Sequence, residues 1–89
     1  MSPVIPIPAS DDELELAPTS DGFGYTARIT RRRSDGSAAW TALPPLGEHQ
    51  DAWTTIQLQG HQLVANSWSA FEVHLDLNTG TEISREFTK

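Results

Sequence analysis

Three polar side chains at alternate positions, Glu72, His74 and Asp76, form the sharpest chemical constellation in this 89-residue chain. Alternate residues of a strand point to one face, so a strand through them sets a carboxylate, an imidazole and a second carboxylate side by side. That donor set suits zinc or manganese, or a general base with an orienting carboxylate. The same residue types are also ordinary occupants of a solvated strand face, and neighbours two apart stand about 7 Å from each other, so the side chains must bend inward to share an ion. His49 and His61 fall at no metal-ligand spacing and read as loop residues. Asp76, Asn78, Gly80 and Glu82 alternate in the manner of a calcium loop, yet the span is too short for an EF-hand and lacks flanking helices, so turn chemistry favours a hairpin. The serines have no paired base, and no Gly-x-Ser-x-Gly, Walker or dinucleotide-binding signature occurs. The expectation is a non-enzyme with no cofactor.

Two further sets bear on binding. Arg28, Arg31, Arg32 and Arg33 concentrate four of the six cations within six residues. Guanidinium forks hold phosphate and carboxylate in bidentate fashion, which makes this stretch an anion-patch candidate. A charged strand end also keeps an exposed edge from pairing with other chains. Trp40, Trp53 and Trp68 are the interface candidates. Trp53 shares strand parity with Thr55 and Gln57, and Trp68 with Val64 and Asn66, which sets them off the apolar faces of their strands. Trp is enriched at binding hot spots, whereas a bulge would switch the parity and tuck the rings inside.

Composition narrows the partner. Twelve acidic against six basic residues give a net charge of -6, which argues against non-specific binding to nucleic acid or anionic membranes and favours a protein partner, a basic one by preference. With no cysteine there is neither a disulfide framework nor a thiolate site, so a domain this small must be held by packing or by self-association, and a homo-oligomer is expected. No apolar run approaches a membrane-spanning length, and residues 1–8 form no signal-type stretch, which implies a cytoplasmic chain.

The elements that would position these residues are strands. Residues 1–11 form an extended leader with Pro3, Pro6 and Pro8, whose Ile-Pro alternation lacks donors at every second position and so suits a sheet edge but not a sheet interior. Residues 12–89 read as one β domain, dominated by period-two alternation between turn signals. Strands are predicted at 13–16, from Phe23 to about Arg32, at 37–43, 53–59, 62–68 and 70–77, and at 82–87. Turns at Ser20-Asp21-Gly22, Ser34-Asp35-Gly36 and Asn78-Thr79-Gly80, with the Pro44-Pro45 break before a loop to residue 52, make an antiparallel meander of about seven strands.

A shift of 44 residues lays Ile29 on Val73, Gly36 on Gly80, Ser37 on Thr81 and Leu43 on Phe87, a period typical of repeat units, although any two hairpins share alternation and a turn glycine. Leu63-Val64-Ala65-Asn66-Ser67-Trp68, followed by Val73-His74-Leu75-Asp76 and Asn78-Thr79-Gly80, resembles one blade of a β-propeller of the pyrroloquinoline-quinone repeat kind, over about residues 53–87. That resemblance implies a propeller-like blade pair. No cofactor-binding residue of that family has a counterpart here.

The faces point elsewhere. Phe71, Val73, Leu75 and Leu77 lie on one side of their strand, with Ala70, Glu72, His74 and Asp76 on the other. A sheet with one apolar and one charged face curls into a small barrel, packs on another sheet, or pairs with a second copy. The predicted fold is an all-β curled meander or small barrel. The predicted function is a non-enzymatic protein-interaction module that self-associates; the alternatives are an immunity- or inhibitor-type protein capturing a basic partner, and a metal-binding protein or hydrolase using Glu72, His74 and Asp76.

Overall fold

The computed structural model describes residues 4–19, 25–47 and 50–88. The predicted turn at residues 20–22, Phe23 and His49 lie outside them. All regular structure in the described residues is β: β1 (Val4–Pro6), β2 (Glu13–Pro18), β3 (Thr26–Arg32), β4 (Ala38–Ala42), β5 (Trp53–Gln59), β6 (Gln62–Ser67), β7 (Phe71–Asp76) and β8 (Glu82–Phe87). The strand beyond the predicted seven is β1, cut from the leader. Its prolines confine it to the edge, where Val4, Ile5 and Pro6 pair with Glu15, Leu14 and Glu13 of β2.

Every pairing is antiparallel, and the sheet stays open, with β1 and β8 at its ends. The sheet forks at β3. Its C-terminal half pairs with β4, Ile29 opposite Ala42 and Arg31 opposite Trp40, while Thr26 at its start pairs with Trp53 of β5. Two four-stranded meanders, β1–β4 and β5–β8, are thus joined through one bridge. Their apolar faces share one core: Ile7, Leu14, Ile29 and Ala42 from the first meet Trp53, Leu63, Ala65, Val73, Leu75 and Leu77 from the second. Leu14, Ile29, Leu63 and Val73 are essentially sealed from solvent, and each such side chain contributes about 1.5–3 kcal/mol.

A polar clasp closes the two meanders. The Leu77 carbonyl accepts from Arg31 Nη1 at 2.8 Å and from Trp40 Nε1 at 2.9 Å, and those two donors are cross-strand neighbours on β3 and β4. The turn after Leu77 lies against the Trp40 ring so closely that a Cβ on Gly80 would stand 2.6 Å from Trp40 Cδ2. Gly80 has φ +73°, a conformation glycine adopts freely.

Candidate interaction surface

The strand of β7 sets Glu72, His74 and Asp76 on the outer face of the second meander, as the alternation predicts. His74 Nε2 lies 3.2 Å from Glu72 Oε2, and His74 Nδ1 lies 3.2 Å from Gln62 Oε1 on β6. Asp76 does not join them. Its Oδ1 accepts from the backbone N–H of Asn78 at 2.8 Å and of Thr79 at 3.3 Å, so the carboxylate builds the following turn. No group of three such donors placed to hold a metal occurs among the described residues. The weak metal set is corrected to a His–Glu pair plus a turn-forming aspartate, and the calcium-like pattern at 76–82 is that turn. On β8, Ser84 stands opposite His74, and Glu86 stands directly opposite Glu72.

The arginine cluster is divided between two faces, because successive strand residues alternate. Arg31 points to the core face, where Nε donates to Asp12 Oδ2 at 2.8 Å and Nη1 forms the clasp with Leu77. Arg32, on the opposite face, pairs with Glu15 at 3.3 Å. Arg33, at the turn, reaches the Ser37 hydroxyl and the Ala38 carbonyl, and Arg28 is partnered as well. The groove beside Arg32 and Arg33, about 500 Å³ and open to solvent, is also lined by Asp11, Glu13 and Glu15. Carboxylates at such close quarters oppose an anion, so the four arginines do not make the single anion seat that their spacing suggests. The turn they flank is fixed by Asp35, whose Oδ1 accepts from the Ser37 hydroxyl at 2.6 Å and the Ser37 N–H at 2.8 Å. Those bonds hold the Asp35 carboxyl below the ordinary aspartate value.

The three tryptophans separate completely. Trp53 is buried, at 1% exposure, because β5 carries a bulge between Trp53 and Thr55 that inserts Thr54. Trp53 therefore faces Ser67 and the side of Ala65 and Leu63, which corrects its place among interface candidates. Trp40 is half-buried in the clasp. Trp68 alone stands out, 66% exposed on the turn between β6 and β7.

That turn is tightly determined. Ser69 donates to Asp51 twice, from its N–H to Oδ1 at 3.0 Å and from its hydroxyl to Oδ2 at 2.6 Å. Asp51 is buried and also accepts the N–H groups of Ala52 and Leu46, at 2.9 and 3.3 Å. Trp68 N–H donates to the Ala52 carbonyl at 2.8 Å, and Ala70 closes the turn at φ +74°, a left-handed conformation unusual for a residue with a Cβ. One buried carboxylate thus ties the loop from Leu43 to the turn that carries Trp68. Thr88 N–H donates to the Ala70 carbonyl, which brings the end of β8 to the same place. Phe87 there packs on Phe71, ring centroids 5.5 Å apart, while Arg85, clamped by Glu82, lies 5.3 Å over the Phe71 ring.

Among the described residues, four of the six exposed large apolar ones, Leu43, Leu46, Trp68 and Phe87, therefore lie on segments that meet at one end of the molecule. Of these only Trp68 is foreseen from sequence. Asp51 leaves no periodic signal, although an acidic residue just past a Pro-Pro break and before an apolar strand is a hint that the loop is anchored.

A comparison with curated proteins and with solved structures finds no match. A family profile described as a domain of unknown function, DUF7957, matches residues 16–87, from within β2 to the end of β8, which takes in β3 to β8, the Asp51 knot and Trp68 but not β1. The chain belongs to the DUF7957 family.

Proposed function

We propose that this chain is a non-enzymatic protein-interaction module whose contact surface is the end carrying Trp68. One observation carries it: a 66%-exposed indole sits on a turn fixed by a buried, four-times hydrogen-bonded aspartate and a left-handed alanine. Strain and a buried charge are costly, and such costs collect where the surface must hold a shape. A rigid, exposed Trp on a turn tied to the segments that carry exposed Leu46 and Phe87 matches the anchor of an interface, because aromatic groups already fixed in place lose little entropy on binding. The test is affinity capture from the native cell extract with the full chain and with a Trp68→Ser variant. A specific partner, this chain included, retained by the former and lost by the folded latter supports the function. Identical captures by both would overturn it.

The outer face of β6–β8 favours a second reading, capture of a basic protein. Glu72 and Glu86 oppose each other directly across the strands, with Asp76 on the same face. Like charges so placed destabilise a sheet, and a cationic partner would relieve them. Such binding weakens steeply as salt rises.

A further inference from the structure

We infer that the occupant of the Trp68 end is a second copy of this chain, docked about a two-fold axis; this rests on the interaction-module function proposed above and names its partner. Charge supplies the first ground. At -6, two copies repel over most approaches. In segments 43–47, 50–53, 67–71 and 87–88 of the Trp68 end, the one ionisable side chain is Asp51, buried with its oxygens occupied by N–H and O–H donors, and the charges beside them, Arg85 over the Phe71 ring and the Glu82 that clamps it, form a neutral pair. Among the described residues, this is where two acidic copies meet with the least opposing charge. Charge depletion at the centre is what distinguishes interfaces from the remaining surface, homodimers above all.

Area supplies the second. Leu43, Leu46, Trp68 and Phe87 are 50, 55, 66 and 59% exposed. Together they offer roughly 450 Å², most of it apolar. A standard interface removes about 800 Å² from each partner, of which about 65% is apolar in homodimers, or roughly 520 Å². The four side chains come close to that amount, with the polar rim of Ser69, Gln50 and Thr88 beside them. An isologous contact uses this one patch on both subunits and closes at two.

Sedimentation velocity and equilibrium on the full chain test the inference. The expected result is a reversible dimer at micromolar concentration whose Kd falls as salt rises from 20 to 300 mM, since salt screens the repulsion between acidic copies. Trp68→Lys places a charge at the centre and should raise the Kd about 30-fold or more. Leu46→Lys, at a second exposed position, should act the same way with the circular dichroism of the wild type retained. A chain that stays monomeric at hundreds of micromolar overturns the inference, as does a dimer indifferent to both substitutions. A monomer that nevertheless captures a different protein in a Trp68-dependent way overturns the second-copy assignment and leaves the interaction function standing.

Discussion

Gly80→Ala is the substitution that most directly probes how the two meanders are held together. Its Cβ would lie 2.6, 2.7 and 2.8 Å from Trp40 Cδ2, Cγ and Cε3, well inside contact distance for rigid ring atoms. The backbone sits at φ +73°, where an L residue pays about 1–2 kcal/mol. Displacing the ring adds about 1–3 kcal/mol of overpacking, and the Trp40 Nε1 bond to Leu77 is worth about 1 kcal/mol more. The total is about 3–6 kcal/mol, a large part of a small domain's stability. Gly36→Ala is the control: its φ is +88° and no atom lies within 4 Å of the added Cβ, so only the backbone cost of about 1–2 kcal/mol remains. The variants differ by about 2–4 kcal/mol, so thermal melts should separate them by roughly 8–32 °C, given about 4–8 °C per kcal/mol for a domain of this length. In a Trp40→Leu background the cost of Gly80→Ala should shrink toward that of Gly36→Ala, a coupling of about 2–4 kcal/mol. Equal losses at the two glycines, or full additivity with Trp40→Leu, would refute the clasp.

Asp51→Asn turns an acceptor into a donor facing the N–H of Leu46 or Ser69, and should cost about 2–3 kcal/mol in urea unfolding; a loss under 0.5 kcal/mol would count against the knot. Ala70→Gly, at φ +74°, should stabilise by about 0.5 kcal/mol, the relief of the left-handed Cβ exceeding the added freedom of the unfolded chain, and a fall in melting temperature would contradict that balance. Glu86→Gln removes the like charge opposite Glu72 and should raise stability by about 0.2–1 kcal/mol, with the gain shrinking at high salt. The Asp35 carboxyl should titrate below 3.8 by NMR. Because its folded value is depressed, its contribution to the turn is present above 3.8 and is lost as pH falls through the folded value, so Asp35→Asn should flatten the pH dependence of stability in that acidic window.

The strands were legible because one buried face imposes period two on each of them, and the Asp35-Gly36 and Asn78-Thr79-Gly80 turns punctuate them by local chemistry alone. Trp53 was not legible. Strict alternation assigns it to the face of Thr55, but the bulge adds Thr54 between them, and an inserted residue has no signature in composition. His74 and Glu72 do meet, as shared strand parity requires, whereas Asp76 is claimed by the backbone donors of its own turn, a competition that spacing does not reveal. The anchoring of Trp68 depends on Asp51 and Ser69, 18 residues apart, a contact that exists only once the second meander has formed.

The shift of 44 residues explains where the molecule is unfinished. Ile29 and Val73 correspond, and both are buried in the shared core. The clasp residues do not correspond: Leu75 stands where the first hairpin has Arg31, and Ser84 where it has Trp40. In the first meander, Trp40 gives the turn at Gly80 a surface to rest on, and β4 is thereby partly covered. Lacking such a ring, β8 meets only Phe71 through Phe87 and Arg85 and leaves all six of its residues exposed, Ile83 and Phe87 included. Its edge carries Glu82, Arg85 and Glu86, charges that resist the addition of another strand. Growth of the sheet along β8 is therefore opposed, which leaves Leu43, Leu46 and Trp68 exposed away from those charges. The two-fold association inferred above would close at two copies, while neutralising the charges of β8 would remove what resists pairing along that edge.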